Sequence, residues 1–165
     1  MPMYDRITPA QADLLRSARL FFVASVTPDL ASGPAGEGAV NLSPKGGVPL
    51  HVLDEHHVAY LDYPGSGNET ARHAGAGGPI TLMAMSMEAE DAAIVRLYGH
   101  ATITPVAELP EDDPLLEAPE APLKHPRQVI TIAVEATQTS CGYGVPVLAF
   151  VSQRPKEGRG RRYKE

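Results

Sequence analysis

Pro79-Ile-Thr-Leu-Met-Ala-Met-Ser-Met87 and Ile94-Val-Arg-Leu-Tyr-Gly-His-Ala-Thr-Ile-Thr104 stand only six residues apart, and that spacing decides the fold. Both runs alternate or mass apolar residues over strand-like lengths, so each predicts a β-strand. Parallel strands need a crossover of a dozen or more residues, so these two pair antiparallel. Outward from them, Leu20–Val26, Ala39–Ser43, Val48–Leu53, His57–Asp62 and Gln128–Thr137 also read as strands. Strands outnumber helices and most neighbours are joined by short turns. The expectation is a mainly β protein, an antiparallel barrel with few helices rather than a doubly wound sheet. Closing a barrel also removes exposed strand edges.

Two helices punctuate this order. Thr8-Pro9-Ala10-Gln11 is a helix start, with Thr8 as cap, Pro9 at the first helical position and Gln11 able to close a capping box. Leu14, Leu15 and Ala18 continue it as a modest apolar stripe. Ser66-Gly67-Asn68-Glu69 has the form of a second box, with Ser66 as cap and a helix over Thr70–His73 that stops at Gly75, Gly77 and Gly78. From Pro105 to Pro126 six prolines exclude a central strand, leaving a surface loop or a short helix around Pro114–Glu117.

At 165 residues, with 43% hydrophobic and 21% charged residues, the chain is expected to form one soluble domain with a real core. That domain spans residues 1–152, and residues 153–165 form a tail. Arg154, Lys156, Arg159, Arg161, Arg162 and Lys164 against Glu157 and Glu165 give the tail a local charge of +4. The net charge is −6, so the body carries −10, which argues against nucleic acid as the main partner. No apolar run approaches the roughly 20 residues of a membrane helix. The N-terminus lacks the basic, apolar and small-residue order of a secretion signal. With Cys141 as the single cysteine, no intrachain disulfide can form, and a reducing cytoplasm is the expected location.

The functional candidates gather in Asn41-Leu-Ser-Pro-Lys-Gly-Gly47 and Gly65-Ser-Gly-Asn-Glu-Thr-Ala-Arg72. Each combines hydroxyls, a cation and glycines near a strand end, the chemistry of an anion cradle. Ser66, Gly67 and Asn68 would stand at the start of the second helix, and Arg72 could fold back over the same spot. Each stretch also has a plain structural reading. Residues 43–47 could be a hairpin turn with Lys45 a solvated charge, and residues 66–69 could be a cap with no ligand. Neither is a P-loop or a dinucleotide fingerprint.

The run from Phe21 to Ile103 resembles the FMN-binding split-barrel proteins. The resemblance rests on Asn41–Gly46, Ala59–Asp62, Gly65–Thr70, Ile80–Met83 and Arg96-Leu-Tyr-Gly-His-Ala101. More narrowly it resembles the branch related to pyridoxamine 5′-phosphate oxidase, as does Gln138-Thr-Ser-Cys-Gly-Tyr-Gly-Val-Pro146. The resemblance covers about residues 10–152. It implies a six-stranded antiparallel split barrel, a homodimer with FMN between subunits, and flavin-dependent hydride or electron transfer with a small-molecule substrate. Carried onto this chain, it places Ser43 and Lys45 on one side of the flavin phosphate and Ser66, Asn68, Thr70 and Arg72 on the other. Backbone groups of Asn41 and Leu42, and of Tyr60, Leu61 and Asp62, would face the ribityl chain and ring. Cys141, Gly142 and Tyr143 would approach the flavin, from the same or the second subunit. The chain departs from true pyridoxamine-phosphate oxidases in having no tryptophan. Nor does Arg154-Pro155 or the basic tail match that family's C-terminal substrate segment. A flavin carrier or sensor without turnover, or a split barrel using haem or a deazaflavin, are the alternatives.

The remaining reactive residues predict packing or surface roles. His56 and His57 would point to opposite faces of a strand, and no His or Cys spacing suggests a metal site. Met83, Met85 and Met87 share a strand face, as core or dimer interface. Arg96, mid-strand, is expected to pair with a carboxylate.

Overall fold

Thr8 opens the first helix in the expected way. In the computed structural model, which describes residues 2–32, 38–65, 67–116 and 125–153, α1 spans Pro9–Ser17. The Gln11 backbone N–H donates to Thr8 Oγ1 and the Thr8 N–H to Gln11 Oε1 (2.9 Å), closing the capping box. Gln11 then reaches beyond its helix. Its amide donates to Thr139 Oγ1 (3.0 Å) and accepts from Thr137 Oγ1 (3.0 Å), pinning α1 to the last strand while Leu15 is fully buried.

Six long strands carry the architecture: β2 (Leu20–Val26), β3 (Val40–Gly46), β5 (His57–Asp62), β6 (Ile80–Met85), β7 (Ala93–Pro105) and β8 (Gln128–Cys141). Two-residue strands, β1 (Met3–Tyr4) and β4 (His51–Val52), extend the edges. All pairings are antiparallel, in the order β3-β2-β6-β7-β8-β5-β4 with β1 beside β8, which together with two α-helices is the mainly β split barrel expected. The bounds of β2 and β5 match the sequence reading, whereas β3 runs on through Gly46. Residues 43–46 are therefore strand, not a hairpin turn. Their register with β2 puts Ser43 opposite Val23 and Lys45 opposite Phe21. Pro44, without an N–H, is tolerated because β3 pairs on one side only.

The core forms where the inner faces meet. Phe21 and Val23 of β2, Leu82 of β6, Val95 and Leu97 of β7, Tyr60 of β5 and Ile130 and Ile132 of β8 all lie in one buried cluster. Each such side chain contributes on the order of 1.5–3 kcal/mol by leaving water. A smaller cluster of Ala59, Leu61 and Val129 is roofed by 3-10 turns at Val106–Glu108 and Pro114–Leu116, so the proline-rich connector holds a short helical turn near the expected place. Gly99 marks a bulge between β7 and β8, where any Cβ would strike the Ala133 carbonyl.

Helix α2 spans Glu69–Gly75 and corrects the second capping box. Glu69 is the first helical residue and Asn68 is the cap, its own side chain making no capping hydrogen bond. Ser66, the expected cap, lies outside the described residues. The cause is tertiary: Asn68 Oδ1 accepts from Gln128 Nε2 (2.9 Å) and the Gly67 carbonyl accepts from Arg127 Nη2 (2.9 Å), so β8 holds the entry to α2.

Candidate functional site

The two ends of the sheet path, β3 and β4, share no backbone ladder. Side chains bridge this seam instead. Lys45, on the inner face of β3, donates from Nζ to Asp62 Oδ1 at the end of β5 (3.2 Å) and lies 5.7 Å from the centre of the Tyr60 ring. A cavity of about 260 Å³ opens here, lined by Ser43, Lys45, Asp62, Asn68, Thr70 and Arg127 among others.

Strand alternation explains the supply of polar groups. Asn41, Ser43 and Lys45 occupy alternate positions of β3 and so share its inner face. Asn41 Nδ2 donates to Ser43 Oγ (3.0 Å) and to Thr70 Oγ1 on α2 (3.2 Å), joining strand to helix. Asp62 is buried, its side chain 6% exposed, and is hydrogen-bonded from three sides, two of them cationic. Besides Lys45, Arg127 Nε donates to Oδ2 (2.7 Å) and Gln128 Nε2 donates to Oδ2 (2.8 Å). Tyr60, packed edge-on against Phe21, has its hydroxyl pushed well above its ordinary pKa, by burial first and by the Asp62 charge second, with Arg127 opposing. It stays protonated, and it finds no hydrogen-bond partner among the described residues.

Of the residues expected at a site, the structure brings Ser43, Lys45, Asp62, Asn68 and Thr70 to the cavity wall, with Asn41 behind them. Arg72 sits one turn further along α2, half-buried and off the wall. The side chains of Tyr60 and Leu61 are consumed by the two cores, leaving only backbone to face a ligand. Leu42 points to the outer face and is 65% exposed. Cys141, Gly142 and Tyr143 lie at the far end of β8 from Gln128, roughly 40 Å of extended chain away. Gly142 is needed there for close packing, since a Cβ would come within 2.7 Å of the Ala93 nitrogen.

Arg127 and Gln128 are the wall and support residues that the sequence did not single out. Arg127 follows directly on the proline-rich connector, and its partner Asp62 is 65 positions earlier, so no local pattern marks it. Elsewhere, Arg96 donates to Ser140 Oγ (3.0 Å), a hydroxyl where a carboxylate was expected. His57 begins β5 while His56 precedes it, and each meets an acidic neighbour, Asp54 and Glu55 respectively. Met83 and Met85 alternate with buried Leu82 and Ala84, half-exposed on the outer sheet face. No helix among the described residues is long and apolar enough to cross a membrane.

Comparison with known proteins yields no matching family model. The chain is 32% identical over 157 residues to the pyridoxamine 5′-phosphate oxidase family protein ustO of Aspergillus flavus, a match covering 90% of this chain and 57% of that protein. The chain thus spans little more than half the length of the curated relative it matches. Among solved structures, a point variant of HupZ from Group A Streptococcus aligns with a TM-score of 0.60 at 22% identity, covering 81% of this chain and 99% of that one. A putative pyridoxamine 5′-phosphate oxidase from Lactobacillus delbrueckii aligns with a TM-score of 0.55 at 22% identity, covering 82% and 95%. At these identities the structural likeness is one of fold.

Proposed function

The chain belongs among the pyridoxamine 5′-phosphate oxidase-related split-barrel proteins, and from that premise we propose that it binds FMN at the seam and is an FMN-dependent oxidoreductase. The observation that carries this is the convergence of Lys45, Ser43, Asn68 and Thr70 on one cavity wall. A phosphate needs several directed donors. Lys45 keeps N–H groups beyond the one given to Asp62, and the Ser43 and Thr70 hydroxyls rotate to suit. The donor set fits the group.

The cavity is smaller than the roughly 300–1,000 Å³ of sites that enclose a whole ligand, so it suits the phosphate end and leaves the ring outside. A second copy of the chain would cover the ring. The outer face of the sheet supports that partner: Val40 and Leu42 are more than 60% exposed, beside half-exposed Phe22, Met83 and Met85. In a homodimer, Cys141, Gly142 and Tyr143 of the second copy would be the ones to approach the flavin. Ser66, Arg72 and the backbone of Asn41–Leu42 and Tyr60–Asp62 complete the proposed contacts.

Bound FMN would supply hydride or electron transfer to or from a small molecule, with the protein binding and orienting it. Purified protein should be yellow, and NAD(P)H or another donor should bleach it, with reoxidation by a small acceptor. Lys45→Ala should weaken FMN binding by about 1–3 kcal/mol, the value of a charge-assisted contact. Colourless protein that ignores added FMN would overturn the proposal. Binding without turnover would leave a flavin carrier or sensor.

A further inference from the structure

Two cations meet one buried carboxylate at the seam, and a structural ion pair needs only one. Asp62 Oδ1 takes Lys45, and Oδ2 takes both Arg127 Nε and Gln128 Nε2. Arg127 also spends an Nη2 donor on the Gly67 carbonyl. A guanidinium has five N–H donors in a fixed fork, so the remaining ones are held rigidly by the two bonds already made. Its side chain is 28% exposed, that of Lys45 20%, and both line the cavity.

Resting on the FMN reading above, we infer that Arg127 is the specificity-determining residue for the phosphate, a second cation aimed into the cavity, and that Asp62 is the positioning residue that aims it. Charge alone does not do this. Glu69 is also on the wall, so Lys45 and Arg127 are balanced by Asp62 and Glu69. Selectivity for a phosphorylated ligand must then come from directed hydrogen bonds, which the guanidinium fork supplies to a phosphate and an ammonium does not. Because Arg127 also holds Gly67, the same side chain fixes the loop before α2 against the wall.

The test compares FMN with riboflavin, which lacks the phosphate, on the full chain. Arg127→Gln should raise the FMN dissociation constant at least about tenfold and leave riboflavin within about twofold. Arg127→Lys, which keeps the charge, should still lose much of the preference. Asp62→Asn should reduce the preference in the same direction, with Arg127 unaimed. Parallel weakening of both flavins would make Arg127 a structural staple and overturn the inference. So would variants that keep the full preference for FMN. If the unmodified protein binds riboflavin as tightly as FMN, or binds neither, the phosphate reading itself fails and this inference falls with it.

Discussion

Helix α1 is capped by residues three positions apart, whereas the entry to α2 is held by residues some sixty positions away. Both begin with a Ser or Thr followed three residues later by Gln or Glu. In α1 the box closes even though the Gln11 amide is shared with Thr137 and Thr139 of β8. At α2 Arg127 and Gln128 donate to Gly67 and Asn68, and the helix opens from Asn68 without a side-chain capping bond from it. The α1 cap is made by its own helix and only then reaches β8. A loop that serves a site is tied to whatever else builds the site.

The difference can be broken at its centre. Asp62→Ala would leave Lys45 and Arg127 facing each other across the seam without their shared anion. Removing one member of a buried ionic group costs about 3–5 kcal/mol, and partial exposure of both cations places the expected loss at the lower end. Chemical denaturation measures it, and hydrogen exchange should show α2 loosening before α1. A loss below about 1 kcal/mol would mean that the seam is held by other contacts. Thr8→Ala is the matching change at the local cap. It should cost about 1 kcal/mol, lower Tm, and leave flavin affinity untouched.

The smallest effect belongs to another local motif. Asp54 accepts from the His56 N–H (2.7 Å) and meets the His57 ring, and these hold its carboxyl below the usual value of 3.8. A depressed folded-state pKa stabilises above the unfolded pKa, and that stability is lost as pH falls through the folded value. Asp54→Asn should therefore slightly lower stability near neutrality and flatten its fall below about pH 4, so that melts across a pH series converge with those of the unmodified protein at the acid end.

The same division explains what could be read from the sequence. The Thr8–Gln11 cap, the strands Leu20–Val26 and His57–Asp62, and the polar alternation of Asn41, Ser43 and Lys45 are periodic or local signals. Residues 43–47 look equally like a turn because Pro and Gly-Gly suit one, and only pairing with β2 decides the matter. Arg127 carries no signal of its own for a related reason. It follows a proline-rich connector, and its meaning comes from Asp62 across the sheet.

The seam has a consequence for how the molecule answers to its surroundings. A barrel closed by backbone ladders is finished by its own chain. Here Lys45, Asp62 and Arg127 do the joining, so any anion that grips β3 and the start of β8 together acts as a rivet in the wall. Occupancy then becomes a thermometer. At a ligand concentration of 100 times the dissociation constant the fold gains about 2.7 kcal/mol, and its melting temperature reports how full the seam is.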